Sequence, residues 1–129
     1  MLAAPPSLLI TDDDFAFRET LQGMLQPMGL RTLLAGDGEE ALQIVGREDI
    51  HLILLDMHMP KLTGLETLQL VRQFDSVLPC ILLSAGLDDL VIKRANELKA
   101  FSVLPKPVTR DQITITIRLA LERTYGWAG

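Results

Sequence analysis

The sequence predicts an α/β fold: a doubly wound, five-stranded parallel sheet with helices on both faces. Three observations carry that expectation. Short apolar runs recur five times along the chain. Each is followed by a longer stretch with helical periodicity. Strands separated by helices need crossover connections, which makes neighbouring strands parallel. The chain has 129 residues, 48% hydrophobic and 22% charged, enough for one core of ordinary composition.

The elements follow in order. The apolar runs lie at 8–11, 31–35, 51–55, 80–84 and 101–104. Three of them are apolar throughout, as in a strand buried on both faces. Phe17, Leu21, Met24, Leu25 and Met28 recur at helical spacing, with Asp14 as N-cap and Gly29 as stop. Ala41, Leu42, Ile44 and Val45 mark a second helix, started near Asp37 and stopped by Gly46. Leu65, Leu68 and Val71 mark a third, entered through Thr63 and Gly64. Residues 90–98 form a fourth. The fifth begins at Thr109 and uses Ile113, Ile117, Leu119, Ala120 and Leu121. Its Ile-Thr-Ile-Thr-Ile stretch alternates like a strand, but the strong helix formers after it and the β/α order favour helix.

Composition excludes several functions. Net charge is −5 and no basic block exists, so direct nucleic-acid binding is not expected. The apolar runs fall far short of the ~18–20 residues of a membrane span. The start Met-Leu-Ala-Ala-Pro-Pro-Ser lacks a basic region, so no signal peptide is expected. One cysteine, Cys80, cannot form an internal bridge. It fits a core position in a protein of the reducing cytoplasm.

In a doubly wound sheet, ligands bind at the carboxyl ends of the strands. The first strand ends in Asp12-Asp13-Asp14, the third in Asp56, the fourth in Ser84 and the fifth in Lys106-Pro107. Parallel strands bring these groups to one edge. Clustered carboxylates repel one another unless a cation intervenes. Mg²⁺ accepts one or two carboxylates plus a phosphate. A lysine and a hydroxyl complete a site for a phosphoryl group, with one carboxylate as nucleophile.

These motifs resemble the receiver domain of bacterial two-component response regulators. The matching stretches are Leu-Leu-Ile-Thr-Asp12-Asp13-Asp14, Leu-Leu-Asp56-Met-His-Met59-Pro60-Lys-Leu-Thr-Gly64, Leu-Leu-Ser84-Ala85 and Val-Leu-Pro-Lys106-Pro107. The likeness covers roughly 7–123, and residues 1–129 are expected to be a single receiver domain. It implies the flavodoxin-like strand order 2-1-3-4-5. It implies Asp56 as phosphoacceptor, and Asp12 and Asp13 as the Mg²⁺ pair with Asp13 the direct ligand. Asp56 itself and the backbone carbonyl of His58 would complete the metal's protein ligands. Ser84 and Lys106 would contact the phosphoryl group, with a cis bond between Lys106 and Pro107. Gly64 takes a turn position after the acceptor loop. The implied partners are a sensor histidine kinase or phosphotransfer protein, and an output partner or an effector domain beyond residue 129. A homodimer through the fourth helix, fifth strand and fifth helix is a further expectation, in the cytoplasm. Two positions depart from the family pattern. Val103 stands where an aromatic is frequent, and Lys99 where glycine commonly ends the fourth helix.

Plainer readings apply to several neighbours. Asp14 is expected to cap a helix. His58 should face solvent, and His51 should be a surface residue. Asp88 and Asp89 suit a helix start, and Met57 and Met59 suit packing. Ser84 lacks the surroundings of a catalytic nucleophile. The rival enzyme is a small Mg²⁺-dependent phosphatase resembling the haloacid dehalogenases. Asp12-Asp13-Asp14-Phe15-Ala16 matches the two aspartates of its Asp-x-Asp signature but not the last residue. Asp88 and Asp89 precede Lys106, the reverse of that superfamily's order. A third reading, a docking module without phosphorylation, conflicts with the intact Asp13, Asp56, Ser84 and Lys106.

Overall fold

A computed structural model describes residue 2 and residues 4–129; the N-terminal reading at Met1 and Ala3 lies outside the described residues. The strands are β1 (Ser7–Thr11), β2 (Arg31–Ala35), β3 (Leu52–Asp56), β4 (Cys80–Ser84) and β5 (Ser102–Pro105). The helices are α1 (Phe15–Leu25), α2 (Gly38–Arg47), α3 (Gly64–Phe74), α4 (Asp89–Glu97) and α5 (Arg110–Tyr125). All strand pairs are parallel, in the order β2-β1-β3-β4-β5. The order reverses between β1 and β3, which opens a crevice at their carboxyl ends.

Alternation along the strands builds two cores. Leu8, Ile10, Leu52, Leu54, Ile81 and Leu83 face Leu21 and Leu25 of α1 and Ile113 and Ile117 of α5. Leu9, Ile53, Leu55, Cys80 and Leu82 face Ala41, Ile44, Leu68, Val71 and Ala95 of α2, α3 and α4. The period of two puts successive side chains on opposite faces, so both faces must be covered.

The helix starts are chemically defined. Asp14, Asp37 and Asp88 each accept a backbone N–H three residues on. Thr63 with Glu66, and Thr109 with Gln112, form capping boxes. The Ile-Thr-Ile-Thr-Ile stretch is helical, and Thr114 and Thr116 donate back to the carbonyls of Arg110 and Gln112.

Three expectations need correction. Gly46 does not stop α2, which runs to Arg47; an exposed glycine lowers helix stability by only about 1 kcal/mol. The first helix ends at Leu25, where Pro27 belongs to a short 3₁₀ turn, Gln26–Met28, before Gly29 takes the left-handed conformation. His51 is not a surface residue. Its Nδ1 accepts the Ser7 N–H at 2.9 Å, and its ring meets Tyr125 edge-on while the Tyr125 hydroxyl donates to the His51 carbonyl at 2.7 Å.

Arg72 ties two elements together on the α3 side. Its guanidinium donates to the carbonyls of Leu98 (2.8 Å), Lys99 (3.1 Å), Leu78 (2.8 Å) and Asp75 (3.2 Å). Lys99 holds φ at 58°, the conformation glycine would adopt more easily. Ala95 is the one buried residue of α4.

Candidate functional site

The strand ends deliver the site. Thr11 pairs with Leu55, which sets Asp12 beside Asp56 across the crevice. Asp56 pairs with Leu83, so Ser84 follows on the next strand. The Lys106 N–H donates to the Ser84 carbonyl at 2.9 Å, which extends the ladder by one residue and carries the lysine to the same edge. The Lys106–Pro107 peptide is cis.

Asp12 and Asp56 are 2% and 4% exposed. Carboxylate oxygens of Asp12, Asp13 and Asp56 lie within 4.8 Å of one another. Lys106 Nζ sits 2.9 Å from Asp12 Oδ2 and 3.0 Å from Asp56 Oδ1. One ammonium cannot balance three carboxylates, and the surplus negative charge suits a hard divalent cation with oxygen ligands.

Burial raises the Asp56 pKa above the ordinary carboxylate value; the Lys106 hydrogen bond opposes this, the Asp12 charge adds to it, and the His58 backbone bond again lowers it. For Lys106, burial acts downward, but the bonds and charges of Asp12 and Asp56 win and raise its pKa. Lys106 is therefore a cation held between two acids.

Asp14 stands apart from the cluster. Its N–H donates to Asp12 Oδ1 at 2.9 Å, and its own Oδ1 accepts the Phe17 N–H at 3.2 Å. His58 is exposed and Met59 is buried. Ser84 is buried, and its hydroxyl donates to the Gly86 carbonyl at 2.7 Å. Val103 pairs with Leu82 and is half-buried. Gly64 is required by close approach. A Cβ there would stand 2.6 Å from the Asp56 carbonyl oxygen and 3.0 Å from Met57 Cα.

Two neighbours escape sequence reasoning. Arg18 Nη1 donates to the Asp12 carbonyl at 3.0 Å. The Phe17 ring lies under the Lys106 ammonium, 4.2 Å from Nζ to the ring centroid. Periodicity marked Phe17 only as a core residue of α1, and nothing in its spacing linked it to a lysine on the fifth strand's end.

A reversing parallel sheet with an acidic cluster and a lysine at its carboxyl edge matches the receiver arrangement that the motifs led one to expect. The chain belongs to the response regulator receiver domain family, whose model matches residues 8–118. Response regulator MprA of Mycobacterium leprae (strain TN) is 39% identical over 119 residues, 91% of this chain and 51% of that protein. The transcriptional regulatory protein CpxR of Escherichia coli (strain K12) is 36% identical over 118 residues, 92% of this chain and 50% of that protein. The chain thus spans about half the length of these relatives. A CheY-like receiver domain protein from Methanospirillum hungatei JF-1 shares the fold at a TM-score of 0.91 and 21% identity, over 95% of this chain and 98% of its own. The signal receiver domain of an HD domain-containing protein from Pseudomonas fluorescens Pf-5 aligns at 0.89 and 27% identity, over 95% and 99%. Among the described residues, no helix is long and apolar enough to cross a membrane.

Proposed function

We propose that this receiver accepts a phosphoryl group on Asp56 from a phosphohistidine of a sensor kinase or phosphotransfer protein. One observation carries the reading. A buried carboxylate at the end of β3 shares a cleft with two further aspartates and an ammonium 3.0 Å away. In the transfer, the donor's N–P bond breaks and an O–P bond forms at an Asp56 carboxylate oxygen. The leaving imidazole recovers its proton from solvent.

The donor set fits Mg²⁺. Asp13 would bind it directly, with Asp12, Asp56 and the His58 backbone carbonyl as the other protein ligands. When bound, Mg²⁺ supplies charge neutralisation to the phosphoryl oxygens. Lys106 trades its Asp56 contact for a phosphoryl oxygen. Ser84 gives up its Gly86 carbonyl to donate to the same group, and the loop after it moves.

The output surface is α4, β5 and α5. Leu87, Leu90 and Ile92 are exposed there on α4 and the loop before it, apolar area that a partner or a second copy would cover. Residues 1–129 act as one receiver unit with its core at about 7–123. The output step belongs to a partner or to a domain such as the longer relatives have room for. The surplus of acids argues against direct nucleic-acid contact, and a kinase partner of this kind is consistent with a cytoplasmic protein. The domain catalyses only its own phosphorylation and dephosphorylation. The dehalogenase-like phosphatase is disfavoured by the family match over 8–118.

Incubation with acetyl phosphate and Mg²⁺, with mass-spectrometric mapping, tests this. One phosphoryl group on Asp56 is expected. Labelling of Asp56→Asn at the wild-type level would refute the assignment, and sustained turnover of a small phosphate ester would favour the phosphatase.

A further inference from the structure

We propose that Phe17 is a positioning residue for Lys106: its ring face keeps the ammonium in the cleft while Asp56 takes up the phosphoryl group. The proposal rests on the Asp56 reading above. Its physical basis is the set of partners around Nζ. Asp12 Oδ2 stands at 2.9 Å, Asp56 Oδ1 at 3.0 Å, and the Phe17 centroid at 4.2 Å. The side chain of Lys106 is 22% exposed, so its ammonium has a route out to water along a flexible four-carbon stem.

The three partners differ in what else they must do. Both carboxylates belong to the cluster that suits a divalent cation. A cation held by those carboxylates would weaken their hold on the lysine and repel the ammonium. Phosphoryl transfer would then make one Asp56 oxygen the bridging oxygen of an acyl phosphate and the other a carbonyl, each a weaker acceptor than a carboxylate oxygen. The ring face is the one partner in this set that neither event consumes. Its attraction comes from the aromatic quadrupole, which strengthens where water is excluded.

Position favours the same role. Phe17 is half-buried on the first turn of α1, and it packs against the core formed with α5. Asp14 receives the Phe17 N–H and its own N–H donates to Asp12 Oδ1. The backbone that carries the ring is thereby fixed to the same acidic strand end that holds the lysine.

The test compares wild type, Phe17→Leu and Phe17→Tyr. Leucine keeps an apolar side chain without the quadrupole; tyrosine keeps the ring face. Two readouts are taken: the rate of Asp56 labelling by acetyl phosphate with Mg²⁺, and the NMR shifts of the Lys106 ε-protons without a phosphodonor. Phe17→Leu should label about 2- to 30-fold more slowly, the range a cation–π contact supports. Phe17→Tyr should stay close to wild type. The ε-protons should be shifted upfield by the ring in wild type and Phe17→Tyr, and return to ordinary values in Phe17→Leu. Equal labelling rates in all three, or Phe17→Tyr as slow as Phe17→Leu, would overturn the proposal. Unshifted ε-protons in the wild type would overturn it too. A wild type that takes no label would refute the Asp56 reading instead. The ε-proton comparison then decides by itself whether Phe17 holds the amine.

Discussion

Replacing Gly64 with alanine separates backbone crowding from helix propensity at the acceptor loop. Gly64 opens α3, where alanine would ordinarily stabilise by about 0.5–1 kcal/mol. The structure reverses that sign. The added methyl would lie 2.6 Å from the Asp56 carbonyl oxygen and 3.0 Å from both Met57 Cα and Leu82 Cδ2. Two of these three atoms are backbone and cannot rotate away. Forced displacement of packed atoms costs about 1–3 kcal/mol. It also strains the Gly64 N–H bond to the Met57 carbonyl, now 3.0 Å, whose loss would add about 1 kcal/mol. The net expectation is destabilisation by about 1–3 kcal/mol. With a urea slope of about 1–3 kcal/mol/M, the midpoint should fall by roughly 1 M. Gly23→Ala is the control, because a Cβ there meets nothing within 4 Å on an exposed face of α1. That variant should gain about 0.5–1 kcal/mol. Paired urea titrations read both. A Gly64→Ala midpoint at or above wild type would refute the crowding, as would a Gly23→Ala loss of the same size.

Other outcomes follow from the site and the core. The raised Asp56 pKa means the native state penalises the ionised form, so Asp56 subtracts stability above its folded pKa and the deficit vanishes as pH falls toward the ordinary carboxylate range. Asp56→Asn should therefore melt higher at pH 7, with the gap closing in acid; a lower melting point at pH 7 would contradict it. Mg²⁺ titration followed by NMR should show a larger affinity loss for Asp13→Asn than for Asp14→Asn, since Asp14 is engaged as a cap; equal losses would count against Asp13 as ligand. Burial pushes the Cys80 thiol up to about 12, so a thiol reagent at pH 8 should react only as fast as the protein opens; rapid labelling of the native protein would show the site is accessible.

Sequence patterning revealed the strands, because residues buried on both faces leave unbroken apolar runs such as 52–55. The gathering of Asp12, Asp56 and Lys106 was legible from the same pattern, because parallel strands end at one edge. What escaped depends on contacts between distant residues. Arg72 binds carbonyls up to 27 positions away, and no periodicity encodes which carbonyls are short of partners. The 94-residue separation of Lys106 from Asp12 was bridged by motif order, whereas Phe17 carried no motif and its partner stayed hidden. Gly46 misled because glycine only weakens a helix; Ile44 is buried there and the helix runs one residue past Gly46, to Arg47. Lys99 shows the reverse, a non-glycine residue held at positive φ where Arg72 grips its carbonyl.

The unequal fastening of α4 has a dynamic consequence. Arg72 grips the carbonyls of Leu98 and Lys99 at its C-terminal end, while Ala95 is the helix's one buried side chain. The free energy needed to open the helix must then rise from its first turn to its last. Amide exchange should follow that slope, fastest near Leu90 and slowest near Leu98. A helix held more firmly at its C-terminal end than at its capped start would pivot about the firmer end. Its first turn, held by the Asp88 cap alone, is the one joined to Ser84 through the loop at Gly86, so a change in hydrogen bonding at the strand edge is expected to displace Leu90 more than Leu98.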